Sequence, residues 1–326
     1  MRLFARFLPL LLSATLAHGY GPEHHQSLTF LAAKAVNRCL EGTEIDRLSA
    51  LQVRYLVRAN VALADRSFVS RMFRWNYYNR SDGAEHSVWG VIDTRLHEHF
   101  NELLLRLEER GDSPKGYADL GRIVSYVQDV TTPSRAVPVF SNRWWRFSFS
   151  DRFDSFPVDL EAVEAAIDGS CPFVLAASRD FDEILADAAG DTLTAVQAPI
   201  FGLPVTWEAY WELADDGEDF GEYGRAGNSF GREVVFRCGE EERCVLLDND
   251  PLYQGFAQQR HVTAVLATMR ALILFQRSRL AATQGSAEQP IPADPAPAPS
   301  TVERVEIPPA GDDSEAGVAD PAAQTP

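Results

Sequence analysis

A chain of 326 residues of which 45% are hydrophobic can bury a sizeable core, so the protein is globular, with one large domain or two small ones. Its formal net charge of −17 at pH 7 argues against nonspecific binding to nucleic acid and other phosphate-rich surfaces.

The chain opens with MRLFARFLPLLLSATLAHG, in which Arg2 and Arg6 precede an apolar run from Phe7 to Leu16 and then small residues. This is the plan of a secretory signal peptide, too short for a permanent membrane span. Cleavage is expected after Ala17 or after Gly19, the second leaving Tyr20 as the mature N-terminus. No later segment reaches transmembrane length, so an exported protein without a transmembrane anchor, periplasmic or secreted, is expected. The four cysteines suit an oxidising compartment. Cys238 and Cys244 bracket GEEER and are expected to close a small loop between VVFR and VLL, which leaves Cys39 and Cys171 to pair or stay free.

YGPEHHQSLTFLAAKAVNRCL reads as a loop carrying His24 and His25, then an amphipathic helix with Leu28, Leu31, Ala32 and Val36 on its apolar side. A second helix is expected from Glu44 to about Val61, followed by Asp65 in ALADRSF. The segment RMFRWNYYNR is aromatic enough for wall or core. In TRLHEHFNELLLRLEER, His97 and His99 point to different helix faces, a poor metal clasp, and read as structural or solvated.

Tyr117 to Pro138, YADLGRIVSYVQDVTTPSRAVP, predicts a helix of about four turns that stops in a Thr-Thr-Pro turn and continues as an extended segment. Ser125 and Asp129 share one face. Asp129 falls in the last turn, where the helix dipole disfavours a negative charge without a nearby cation. A metal ion and Arg135 are the two candidate partners. On periodicity alone, Leu120, Ile123, Val124, Val127 and Val130 form a buried stripe, and Arg122, Ser125 and Asp129 lie on a solvent face.

FSNRWWRFSFSDRFDSF then crowds Trp144, Trp145, Phe147, Phe149, Phe153 and Phe156, either a buried wall or the lip of a binding cleft. Helical patterns resume in DLEAVEAAIDG and SRDFDEILADAAGDTLTAVQ. Residues 201–250 are Gly-rich and acidic with two short strand-like runs, an excursion from a helical body. A long helix from about Tyr253 to Leu280 returns to the core, with His261 as a packing or capping residue. From Ala282 onward Pro, Ala, Ser, Gly and acids dominate, which predicts a disordered acidic tail.

His25, Asp65, Asp129 and Asp154 stand near helix starts and ends, and such ligands suit zinc when they converge. Read with their flanks, the segments resemble the zinc-dependent phospholipase C and fungal single-strand nuclease superfamily. The resemblance covers about Tyr20 to Asp159 and, more weakly, the C-terminal helix. It implies a secreted, mostly helical fold that holds three zinc ions and hydrolyses phosphodiester bonds. YGPEHHQSLTFLA places Tyr20 and His25 where that family has an aromatic N-terminal residue and a ligand His, and Asp65 matches its next ligand. RWNYYNR puts Asn76 at a His position. SYVQDVTTPSRAVPV keeps Asp129 and Pro133, with Ser125 and Arg135 at two His positions. SDRFD offers Ser150 and Asp154 for a final His-and-acid pair.

The resemblance therefore implies ligand positions retained at Tyr20, His25, Asp65, Asp129 and Asp154, and degenerate ones at Asn76, Ser125, Arg135 and Ser150. Ser and Asn bind zinc poorly and a guanidinium only donates. At most one zinc is expected, at Tyr20, His25 and Asp129, with Arg135 standing in for a lost ion. The expected fold is a mainly α single domain over 20–281, after a signal peptide at 1–19, with an irregular insertion at 201–250 and a disordered tail at 282–326. The expected function is a pseudoenzyme that binds a ligand or protein partner. A phosphate-containing small molecule or lipid head group would sit against Arg135 and the lip Trp144, Trp145 and Phe147. The alternative is a metal-dependent phosphoester hydrolase with a reduced site and Asp65 or Asp154 as general base.

Overall fold

The structure, a computed structural model, describes residues 20–65, 77–78, 93–139, 151–177, 180–214 and 220–287. Residues 1–19, where a signal peptide is expected, the tail beyond residue 287, and Asn76, Trp144, Trp145, Phe147, Phe149 and Ser150 lie outside them. The described chain is mainly helical, with a single two-stranded hairpin among the described residues. None of its described helices is long and apolar enough to cross a membrane.

Helix α1 (Pro22–Cys39) starts on a proline at its first position, where the missing N–H costs nothing. Helix α2 (Ala50–Ala64) begins later than the pattern predicts, because Ser49 and Gln52 form a reciprocal capping box there. Helix α3 (Leu96–Arg110) leads through Gly111 into helix α4 (Pro114–Asp129), which Ser113 caps by accepting from Gly116 N.

Helix α4 is the axis of the bundle. It touches α1, α2, α3 and α8 (Phe181–Gln197), and every residue from Ile123 to Asp129 is buried. The solvent-face reading of Ser125 and Asp129 is thus overturned: a helix surrounded on all sides buries its polar residues along with its stripe. Asp119 is fully buried on the same helix and accepts from Arg110 Nη1 at 2.6 Å and Arg122 Nη1 at 2.5 Å. Arg122 alone of the predicted solvent face reaches outward.

Close approach of α2 to α4 depends on Gly121. A Cβ built there would lie 2.2 Å from the carbonyl oxygen of Leu56 and 3.1 Å from its Cα, so the backbone of α2 would have to move. Gly190, on α8, has open space around it. Alanine gains helix propensity at either position by about 1 kcal/mol. We expect Gly190→Ala to be neutral or stabilising in urea unfolding. Gly121→Ala is expected to lose about 2–3 kcal/mol from overpacking. Equal midpoints for the two variants would refute the close approach.

After α4 the chain does not become extended at once. Pro133 opens helix α5 (Pro133–Ala136), since its fixed φ suits a first helical turn, and a further turn follows before Val139 bridges Gly221. A 3₁₀ turn at Phe153–Ser155, helix α6 (Leu160–Ile167) and helix α7 (Cys171–Ala176) follow. Cys39 and Cys171 are disulfide-bonded, tying the end of α1 to the start of α7. Cys238 and Cys244 close the loop between β1 (Val234–Arg237) and β2 (Arg243–Leu246), as their spacing predicts.

The 201–250 region supplies core as well as surface. Trp207, Tyr210, Trp211 and Phe230 are buried and pack with Phe153 and with Tyr253 and Phe256 of helix α9 (Pro251–Ala287). Asp151 holds this nest from below, accepting from Trp211 Nε1 at 2.8 Å and Tyr223 OH at 2.9 Å. Phe153 of the predicted aromatic wall is fully buried here. Helix α9 starts two residues earlier than the pattern suggests and runs past Leu280.

Candidate functional site

Tyr20 is fully buried and lies at the centre of a histidine cluster. His24 and His25 meet its ring edge-on at centroid distances of 6.1 and 6.0 Å, and His261 of α9 approaches to 5.4 Å. Burial drives its phenol well above the ordinary range, and the charges of Arg260, Asp154 and Asp129 act on it as well. Tyr20, His25, Asp129 and Asp154 therefore gather in one region. Adjacent histidines diverge around a helix, and here each takes its own side of Tyr20.

On one side, His25 Nε2 lies 3.3 Å from Asp129 Oδ1 and its Nδ1 lies 2.6 Å from Gln128 Oε1. The orientation of the Gln128 amide follows from its neighbours. Thr268 Oγ1 donates to Ala264 O at 2.7 Å, so it can only accept from Gln128 Nε2 at 3.1 Å. Gln128 Nε2 also donates to Thr29 Oγ1, and Asn60 Nδ2 donates to Gln128 Oε1 at 3.1 Å. Oε1 thus faces His25, and His25 Nδ1 must carry a proton. Two arrangements are then compatible with Nε2 facing a carboxylate. Either Nε2 is also protonated and pairs with Asp129, or its lone pair and Asp129 Oδ1 share a cation.

The spacing suits the second arrangement as well as the first. Two ligands at 2.0–2.1 Å from a tetrahedral zinc stand about 3.4 Å apart, and the orienting bond from Nδ1 to Gln128 is the usual support of a ligating imidazole. No third His, Cys, Asp or Glu joins the pair among the described residues. A three-zinc set does not fit the described residues. Ser125 Oγ is buried and unpartnered, and Arg135 can only donate.

On the other side, His24 Nδ1 lies 3.0 Å from the main-chain oxygen of Asp154, and its ring faces His261 at 6.3 Å. His261 is 1% exposed and neither ring nitrogen has a hydrogen-bond partner among the described residues. Burial first, then the charges of His24 and Arg260, push its pKa down to about 3. Burial likewise lowers that of His24. Arg260 is fully buried, with Nη2 donating to Asp191 Oδ2 at 3.1 Å and Nη1 to Thr192 Oγ1 at 3.3 Å.

Two expected members stand apart. Asp65 caps the C-terminus of α2 and is exposed. Among the described residues Arg135 Nε is buried without a hydrogen-bond partner, and the Arg135 carbonyl accepts from Tyr78 N. The residue that meets Asp129 is His25, so the awkward carboxylate of the last turn is answered by an imidazole across from it. His97 and His99 are structural: His99 Nε2 meets Asp93 Oδ2 at 2.7 Å and His97 packs on Tyr78.

Sequence reasoning missed Gln128 and Arg260, and it named His261 only as a packing or capping residue. A signal was available for His261: it shares the helix face of Val265, Thr268 and Leu272, and a histidine on an otherwise apolar stripe needs an account. The chain matches no family model, no curated protein and no solved structure.

Proposed function

We propose that the protein is an exported binding domain on the framework of the zinc phospholipase C and nuclease superfamily, keeping at most one cation position, between His25 and Asp129. The carrying observation is the His25–Asp129 pair, 3.3 Å apart and supported by Gln128, set beside ligand positions occupied by Ser125 and Arg135. A zinc ion held there would supply a Lewis acid. Hydrolysis by three metals needs other ions to activate water and hold the leaving oxygen, and a serine hydroxyl and a guanidinium offer no site for them. The ligand class is a phosphate-containing small molecule or lipid head group. Among the described residues Arg135 Nε and Ser125 Oγ have no hydrogen-bond partner, and a guanidinium is the natural donor for phosphate oxygens. Export is supported by the paired cysteines.

The second reading, a one-metal phosphoester hydrolase, is favoured by the Nδ1-protonated tautomer, which aims a lone pair of a neutral His25 toward Asp129. Metal analysis and a phosphodiesterase assay with added zinc separate them. We expect zinc at no more than about one equivalent, no efficient turnover, and binding of phosphocholine or inorganic phosphate that weakens in Arg135→Ala. Efficient turnover that Asp129→Ala abolishes would establish the hydrolase instead. Three bound zinc ions would overturn the reduced site, and phosphate binding indifferent to Arg135 would overturn the ligand assignment.

A further inference from the structure

The end of α3, the start of α8 and the last part of α9 enclose a groove of about 1160 Å³. Its apolar lining comes from Leu104, Leu107, Phe181, Leu274 and Phe275. Around it stand Glu108, Asp112, Asp180, Asp182 and Glu183. The one cation among the described lining residues, Arg279, is already held: it donates to Asp112 and to Gln276 Oε1, and its guanidinium lies over Tyr117.

Part of this acidity has a local explanation. Asp180 caps α8 by accepting from Glu183 N at 2.7 Å, and Asp182 and Glu183 occupy its first turn, where the helix dipole favours them. The acids on the opposite wall do not share that explanation. Glu108 sits in the last turn of α3 and Asp112 just beyond its end, where the dipole opposes negative charge. The groove thus combines an apolar floor with a rim of one sign contributed by two helix ends. Burial, and then Asp180, raise the pKa of Asp182, outweighing the opposing charge of His97.

We propose that this groove docks a basic amphipathic helix of a partner protein, its apolar face on Leu104, Leu107, Phe181 and Leu274 and its lysines or arginines on the acidic rim. The volume exceeds the about 300–1,000 Å³ usual for small-molecule pockets, and an apolar trench with charged edges is the form that receives an amphipathic helix. The chain's own tail is the wrong occupant. Although α9 leads into it from the groove wall, residues 288–326 carry eight acids against Arg304 and would be repelled.

The test uses the full-length protein and a fluorescent amphipathic Leu/Lys peptide of about five helical turns. Saturable binding is expected, weakening as salt is raised. The variant Asp180→Asn/Asp182→Asn/Glu183→Gln, which keeps an N-cap side chain, is expected to bind at least about tenfold more weakly. Ser278→Arg, an exposed change on the groove wall, is expected to weaken binding similarly. A Leu/Glu peptide and a synthetic 288–326 peptide should not compete. Competition by the tail peptide, equal binding of the Leu/Glu peptide, or binding unchanged in both variants would overturn the proposal. So would self-association that Ser278→Arg abolishes, since the occupant would then be a second copy.

Discussion

Lowering the pH from 7 to 4.5 is expected to destabilise the protein, and His261→Phe is expected to remove about 2–3 kcal/mol of that loss. The ordinary pKa of 6.5 describes the histidine in the unfolded chain, and the folded value is pushed down to about 3. Above pH 6.5 both states hold a neutral ring and nothing is lost. Below it the unfolded chain takes up a proton that the folded chain refuses, so stability falls as pH falls, by about 1.4 kcal/mol per pH unit down to about pH 3. The refusal has a geometric basis. The groups acting on the ring are Arg260 and His24, which would repel an imidazolium, and its aromatic neighbours Tyr20 and Phe153 offer it no carboxylate. His24, lowered for the same reason, adds loss of the same sign. Phenylalanine keeps the ring in the nest and has no nitrogen to desolvate. Urea unfolding of both proteins between pH 7 and 4.5 reads the difference, and parallel curves would refute the assignment. At neutral pH the variant should be no less stable than the parent, because both nitrogens it removes are unpartnered.

The helical body was legible because its elements carry local signals. Alternation of polar and apolar residues, Pro133, the cysteine spacing and the Gly-rich excursion all act within a few residues of where they are read. The site was legible only in part, and for a physical reason. Asp129 in the last turn of α4 announced that it needed a positive partner, yet the partner lies on α1, and no periodicity in either helix encodes that distance. The resemblance supplied the pairing of His25 with Asp129, and it also suggested Arg135 as a replacement ion, whereas the imidazole of His25 is what meets Asp129. Ser125 and Asp129 read as solvent face because periodicity sees one helix at a time. A helix with neighbours on every side buries residues that its own pattern calls polar. Gln128 was invisible for the same reason: one amide between Val127 and Asp129 becomes a hub only when α1, α2 and α9 arrive around it.

That hub is expected to be among the costliest single positions in the bundle. Gln128 is fully buried and its amide makes four contacts: Oε1 with His25 Nδ1 and Asn60 Nδ2, Nε2 with Thr29 Oγ1 and Thr268 Oγ1. Gln128→Leu keeps the volume close to native and removes every one of them. His25 Nδ1–H and one Asn60 N–H then face a side chain that cannot accept, in a place water does not reach. An unpaired buried donor costs about 1–3 kcal/mol, so a loss of roughly 3–5 kcal/mol is expected in urea unfolding. Thr268→Val is the measured contrast. It withdraws one acceptor while Thr29 still serves Nε2, and about 1 kcal/mol is expected. The two variants also separate structure from site. If Gln128 orients His25 toward Asp129, Gln128→Leu weakens any zinc bound there by about tenfold or more, as loss of an orienting partner does. Thr268→Val leaves zinc affinity where it was. A Gln128→Leu protein as stable as its parent would show that the four contacts are not made in solution, and the protonation assigned to His25 Nδ1 would fall with them.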